Sequence, residues 1–74
     1  QLLTLKNAKI AAFIEYNNEK VSCSLRSSDP SIAVNRVAIK FGGGGHICAA
    51  ACKIEHNRFN LKEFINELDS LLKH

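Results

Sequence analysis

The segment FGGGGHICAAAC, residues 41–52, places four consecutive glycines and a histidine in a chain of 74 residues. Each glycine costs about 0.5–1 kcal/mol relative to alanine in ordered structure, so the run costs about 2–4 kcal/mol. A domain of this size has a total stability of about 4–11 kcal/mol, at about 0.05–0.15 kcal/mol per residue. The cost indicates that the backbone needs glycine at this point of the chain.

The residues before the glycines predict a helix that ends at the run. Asp29 is a candidate N-cap, Pro30 a candidate first helical residue, and residues 32–41 carry the helix. One apolar face is formed at helical spacing by Val34, Val37, Ala38 and Phe41. Lys40 lies in the last turn, where the helix dipole favours a cation, and Gly42 takes the left-handed C′ position.

Two strands are predicted before this helix. In KVSCSLRS, residues 20–27, apolar and polar residues alternate strictly, and AKIAAFIEY, residues 8–16, alternates at Ile10, Ala12, Ile14 and Tyr16. NNEK, residues 17–20, has the composition of a turn because asparagine tolerates the left-handed region. The two runs therefore predict an antiparallel hairpin.

The residues after the glycines predict a short helical turn from Ile47, a strand over 50–56, a loop over 56–60 and a second helix. Asn60 and Glu63 resemble a capping box. Helical spacing follows at Leu61, Phe64, Ile65, Leu68, Leu71 and Leu72. The order β-β-α-β-α predicts one α+β domain over residues 1–74, with a small mixed β-sheet and helices packed on it.

The composition restricts the class of protein. Ten lysines and arginines against seven acidic residues give a net charge of +3. This charge permits an anionic partner but is lower than that of a typical nucleic-acid-binding domain. No apolar run is long enough to span a bilayer, so we expect no membrane contact by this domain. Three cysteines without a disulfide-framework spacing fit a reducing cytoplasm. Because the chain begins at Gln1, we expect a fragment of a longer protein.

The glycines and Arg26 are candidates for phosphate binding. Glycines allow successive backbone amides to face one anion, and a helical turn beginning at His46 or Ile47 would add its free N–H groups. Arg26 and Ser27 end a predicted strand, and a guanidinium donates two parallel hydrogen bonds to phosphate. In a simple β-α-β crossover, Arg26 and Gly42 would lie at opposite ends of a helix roughly 16 Å long. One ligand would then reach both only if the helix lies obliquely or if the ligand is long, such as a short oligonucleotide.

Other interpretations of these residues stay open. The glycine run could be a flexible connector after the helix. His46, Cys48 and Cys52 could bind zinc, but zinc sites favour paired ligands at tighter, repeated spacing. Cys48 could be a nucleophile, although no base or orienting residue can be named for it.

Four segments together resemble the C-terminal, DHH-associated domain of the DHH phosphoesterase superfamily. They are SLRS (24–27), VNRVAIKF (34–41), GGGGH (42–46) and HICAAAC (46–52). The resemblance covers about residues 8–73 and is strongest to the bacterial nanoRNases, the bifunctional oligoribonuclease and pAp phosphatases. Ala51 departs from the pattern, because the family usually has glycine there.

The resemblance implies the C-terminal lobe of a two-lobed cytoplasmic phosphoesterase. In that family the N-terminal DHH domain holds two divalent metal ions, typically manganese, and this chain contains no Asp-His-His motif. The lobe would therefore have no catalytic residue, metal ligand or cofactor of its own and would contact the DHH domain of the same chain. The substrate-binding residues implied are Arg26, Ser27, Gly43, Gly44, Gly45 and His46.

The substrate class implied is short RNA or pAp, and two alternatives remain. The parent protein could be a membrane-anchored cyclic di-AMP phosphodiesterase, which shares GGGGH. The domain could also be a non-catalytic nucleic-acid-binding module, like the related appended domain of alanyl-tRNA synthetases, whose glycine motif is differently composed.

Overall fold

The computed structural model of the chain describes residues 1–5 and 9–72. These residues form one five-stranded sheet with two helices, so the predicted α+β class is confirmed. The strands are β1 (Leu2–Leu5), β2 (Ile10–Tyr16), β3 (Lys20–Ser27), β4 (Gly44–Gly45) and β5 (Ala49–Glu55). The helices are α1 (Asn35–Lys40) and α2 (Leu61–Ser70), and a 3-10 turn, His56–Arg58, precedes α2.

The hairpin of β2 and β3 forms as the alternation predicts. The buried residues alternate along both strands: Ile10, Ala12 and Ile14 in β2, and Val21, Cys23 and Leu25 in β3. In the turn, the side-chain oxygen of Asn17 accepts hydrogen bonds from the backbone N–H of Glu19 (3.0 Å) and Lys20 (2.6 Å). The strand was predicted from residue 8. Ala8 lies outside the described residues, and β2 begins at Ile10.

The helices cover one face of the sheet. The core contains alternate residues of β2, β3 and β5 together with Val37 and Ala38 of α1 and Phe64 and Leu68 of α2. The residues between them point to the other side. We call that side the open face, and its side chains on the three central strands are Ala11, Phe13, Glu15, Lys20, Ser22, Ser24, Arg26, Ala49, Ala51, Lys53 and Glu55.

The sheet order is β1-β2-β3-β5-β4, and every described strand pair is antiparallel. The sheet predicted as mixed is therefore antiparallel in every described pair, and β5 does not run parallel to β3 as a simple crossover would make it. The reason is β4, because the chain re-enters the sheet as this short strand after α1 and turns once more before β5. That additional reversal makes β5 antiparallel to β3.

Helix α1 begins later than predicted. The carboxylate of Asp29 accepts hydrogen bonds from the backbone N–H and the hydroxyl of Ser31, both at 2.9 Å, and these bonds lower the pKa of Asp29. Asp29 thus closes a local turn instead of capping the helix, which starts at Asn35 after Val34. The predicted last-turn position of Lys40 is confirmed, and its ammonium group lies 2.8 Å from the carboxylate of Glu67 on α2.

Helix α2 begins as predicted, because the side chain of Asn60 accepts a hydrogen bond from the backbone N–H of Glu63 at 3.0 Å. Neither described helix is long and apolar enough to cross a bilayer.

The helical turn predicted from Ile47 is wrong. His46 and Ala49 exchange two backbone hydrogen bonds, of 2.7 and 3.2 Å, so Ile47 and Cys48 form the two-residue loop of a hairpin between β4 and β5. Because β4 pairs only with Ala50 and Ala51, the outer edge of β5 from Lys53 to Glu55 has no partner strand within residues 1–5 and 9–72.

Candidate functional site

Backbone conformation or close contact explains why three of the four positions need glycine. Gly42 has φ +85°, the left-handed conformation predicted for the residue that ends α1. Gly45 has φ +139°, and a Cβ there would stand 2.7 Å from the Cα of Ala50. Gly43 lies so close to β5 that a Cβ would overlap the carbonyl oxygen of Ala51. The run is therefore built to lay a bare backbone against β5.

Neither backbone conformation nor close contact requires glycine at position 44. Its φ is not positive, and a Cβ built on it would have no heavy atom within 4 Å. It pairs with Ala51, which is exposed, so the empty space beside Gly44 is on the open face. A side chain at this position would project over the sheet surface without disturbing the protein.

The predicted nest of converging glycine amides does not form. Two glycine amides and the amide of His46 donate to the protein's own carbonyls: Gly42 to Ile39 (3.0 Å), Gly43 to Ala38 (2.7 Å) and His46 to Ala49 (2.7 Å). The alternation of an antiparallel ladder gives Gly44 a hydrogen-bonded pairing with Ala51 and turns the N–H of Gly45 outward. The glycine run contributes bare surface to the open face, not a ring of donors.

Arg26 and His46 lie at the same end of the sheet. Arg26 pairs with Ala49 across β3 and β5, and Ala49 exchanges hydrogen bonds with His46. Two strand spacings separate the Cα atoms of Arg26 and His46, which is about 10 Å. Both residues are exposed, and the alternation directs both side chains to the open face. The distance expected for a simple crossover was between Arg26 and Gly42, at the start of the glycine run. From Gly42, β4 carries the chain back to the end of β3, so the other end of the segment, at His46, lies beside Arg26.

Ser27 does not join Arg26 on that face. It is the next residue along β3, so its side chain points to the helix side, and its hydroxyl donates to the carbonyl of Asp29 at 3.2 Å. Its backbone N–H donates to the carbonyl of Cys48 at 3.0 Å, and that of Val34 donates to Ile47 at the same distance. Ser27 and Val34 thus hold the hairpin loop that carries His46.

A shallow depression of about 500 Å³ continues the open face away from Arg26. Its lining includes Lys20, Ser22, Ser24, Gly43, Ala51 and Lys53. The volume is that of a small-ligand site. The ammonium group of Lys20 lies 3.1 Å from the carboxylate of Glu55, so Lys53 is the cation that makes the depression attractive to anions. Sequence reasoning missed Ser22, Ser24 and Lys53, although the strict alternation of β3 already places both serines on the same face as Arg26.

The zinc alternative receives no support from the geometry. Cys52 lies in the core opposite Cys23, while His46 is exposed on the open face. No three potential metal ligands come together within the described part of the chain. A hydrogen bond with Cys52, together with burial, raises the pKa of the Cys23 thiol, and both buried cysteines pack as small apolar side chains.

Comparison with known proteins identifies the family. No curated protein matches this sequence. Residues 1–74 match the DHHA1 domain, which includes the glycine segment and both neighbouring strands. The chain therefore belongs to the DHHA1 domain family, the accessory domains of DHH-family phosphoesterases.

Proposed function

We propose that this chain is the substrate-binding domain of a cytoplasmic, metal-dependent DHH phosphodiesterase that acts on short oligoribonucleotides or pAp. The observation that carries the proposal is the row Arg26–Ala49–His46 on the open face, next to the empty space at Gly44. It joins a planar cation and a second donor about 10 Å apart, with bare backbone two residues from His46.

The residues of this row suit a phosphate ester. The guanidinium of Arg26 donates two parallel hydrogen bonds to two phosphate oxygens, and the imidazole of His46 supplies a further donor. Gly44 lets the ligand approach the sheet surface. Lys53 adds positive charge along the depression, while a net charge of +3 suits a short nucleotide better than a long duplex.

In this proposal, two divalent ions, manganese in the first instance, would be held by the N-terminal DHH domain. The present chain would hold the substrate phosphate and orient the scissile ester toward that domain. Positioning of this kind lowers the barrier by fixing the reacting groups before the chemical step.

The proposal is tested by titrating this chain with an RNA dinucleotide, pAp and cyclic di-AMP, with amide chemical shifts as the readout. We expect dose-dependent shifts at Gly44, His46, Ala49 and Ala51 with the dinucleotide or pAp. If cyclic di-AMP bound more tightly than the dinucleotide and pAp, the substrate would be a cyclic dinucleotide and the proposal of short RNA or pAp would be wrong. If none of the three ligands shifts these amides, the proposal is wrong.

Arg58 provides a matched control. Arg26 and Arg58 are both exposed, but Arg58 lies on the 3-10 turn beyond the other end of β5. Arg26→Gln and Arg58→Gln remove the same charge, and we expect only Arg26→Gln to abolish the shifts at His46.

A further inference from the structure

Phe13 is the one described aromatic side chain outside the aromatic cluster. The other four rings lie on the helix side and contact one another at centroid distances of 5.4–5.8 Å: Tyr16, Phe41, Phe59 and Phe64. Phe13 contacts no other ring or cation within residues 1–5 and 9–72. Its side chain lies on the open face and is 46% exposed.

The position of Phe13 relates it to the phosphate site. Phe13 pairs with Ser24, and Arg26 is two residues further along the same strand. Phe13 and Arg26 are thus diagonal cross-strand neighbours, whose Cα atoms are about 7–8 Å apart. Across the sheet, Phe13 is followed by its paired residues Ser24, Ala51 and Gly44. Because these residues have small side chains or none, they leave space for a ligand beside the phenyl ring.

We infer that Phe13 stacks against a nucleobase of the ligand whose phosphate Arg26 holds. This inference rests on the proposed function and narrows the ligand to single-stranded nucleotides, because a base inside a duplex does not expose its ring face. Stacking on one phenyl ring tolerates every base, since each base has a π-face. The site therefore selects for a base next to a phosphate and not for a sequence.

The charged residues of the open face favour a nucleotide over an apolar protein surface as its ligand. Leu2 pairs with Phe13 and is also exposed, so an apolar pair borders the face on one side. Arg26, His46 and Lys53 lie on the same face as Glu15 and Glu55, and an apolar partner would bury these polar groups without compensation. A ligand that combines flat apolar rings with negative charge satisfies both parts of the surface.

The chain contains no tryptophan, so Phe13→Trp introduces a single fluorescent reporter. We expect the fluorescence of Phe13→Trp to be quenched by an RNA dinucleotide and unchanged by ribose 5-phosphate, which has no base. Tyr16→Trp is the matched control, because Tyr16 is 49% exposed but lies on the helix side. Its fluorescence should not respond to either ligand.

Phe13→Leu tests the same inference without a reporter and keeps an apolar side chain of similar size. We expect about five- to hundredfold weaker binding of the dinucleotide and unchanged binding of ribose 5-phosphate. Shifts at the His46 amide report the phosphate contact separately. Dinucleotide shifts at His46 without quenching and without an effect of Phe13→Leu would overturn the stacking inference alone, whereas no shift with any ligand would overturn the proposed function as well.

Discussion

A Cβ atom on Gly43 would overlap the carbonyl oxygen of Ala51, whereas one on Gly44, the next residue, would have no heavy atom within 4 Å. Successive residues of the short strand face opposite sides of the sheet. Gly43 faces β5 and the protein, while Gly44 faces the open surface. The same residue type therefore serves close packing at one position and ligand access at the other.

Stability should separate these two glycines. We expect Gly43→Ala to lower the free energy of unfolding by about 1–3 kcal/mol, because backbone would have to move to relieve the overlap. Gly44→Ala should stay within about 1 kcal/mol of the parent protein or be slightly more stable, since it reduces the entropy of the unfolded chain. Urea denaturation measures both. Equal losses would show that the strand does not lie as described.

Ligand binding should respond to bulk at Gly44. Gly44→Val adds a branched side chain over the open face, in a strand conformation that valine favours. We therefore expect a folded protein that binds an RNA dinucleotide at least about tenfold more weakly. Binding by calorimetry and the thermal midpoint of the same sample give the two readouts. Unimpaired binding would place the ligand elsewhere.

His46→Ala should weaken nucleotide binding by about tenfold, since a hydrogen bond to a charged group is worth about 1.5–3 kcal/mol. The thermal midpoint should not change, because the His46 side chain is exposed. His56→Ala is the control, since this second exposed histidine contacts the carbonyl of Asn17 beyond the other end of β5. An equal effect of the two substitutions would remove His46 from the site.

Arg26→Lys should weaken binding although the charge is kept, because lysine cannot reproduce the two parallel hydrogen bonds of the guanidinium. The salt dependence of binding should stay the same for Arg26→Lys. For Arg26→Gln the slope of log K against log salt should fall by about 0.7, the value for one phosphate contact with a single strand. Arg58→Lys should change neither quantity. A full-affinity Arg26→Lys variant would argue for a simple charge contact.

Asn60→Ala should cost about 1 kcal/mol, because it removes the side-chain oxygen that accepts from the N–H of Glu63. In a domain of this size that loss lowers the thermal midpoint by about 4–8 °C. Asn66→Ala is the matched control, since Asn66 is exposed in the middle of α2, where alanine favours the helix. A stable Asn60→Ala variant would contradict the capping role.

The parts of the fold that local pattern determines could be predicted from the sequence. The alternation around Val21, Cys23 and Leu25 gave β3, the capping pair of Asn60 and Glu63 gave the start of α2, and Gly42 gave the end of α1. Strand β4 could not be predicted, because two glycines carry no β-propensity and pair only through the hairpin with β5. Strand β1 was missed because four residues are too few for a periodic signal.

The same limit applies to the candidate site. The exposed side of β3, with Ser22, Ser24 and Arg26, follows from a period of two. The closeness of Arg26 and His46 depends on the direction of β5, which is set by the additional reversal at β4. No pattern in the sequence predicts that reversal, so the closeness of Arg26 and His46 could be seen only in the tertiary structure.

The shortness of β4 has a consequence for behaviour at high concentration. Beyond its two residues, β5 presents Lys53 and Glu55 at an edge that no described strand covers. Another molecule that extended the sheet there would have to accommodate both charged side chains along a stretch too short for stable pairing. The charged edge of β5 thus disfavours fibrillar stacking of molecules, while the open face stays accessible.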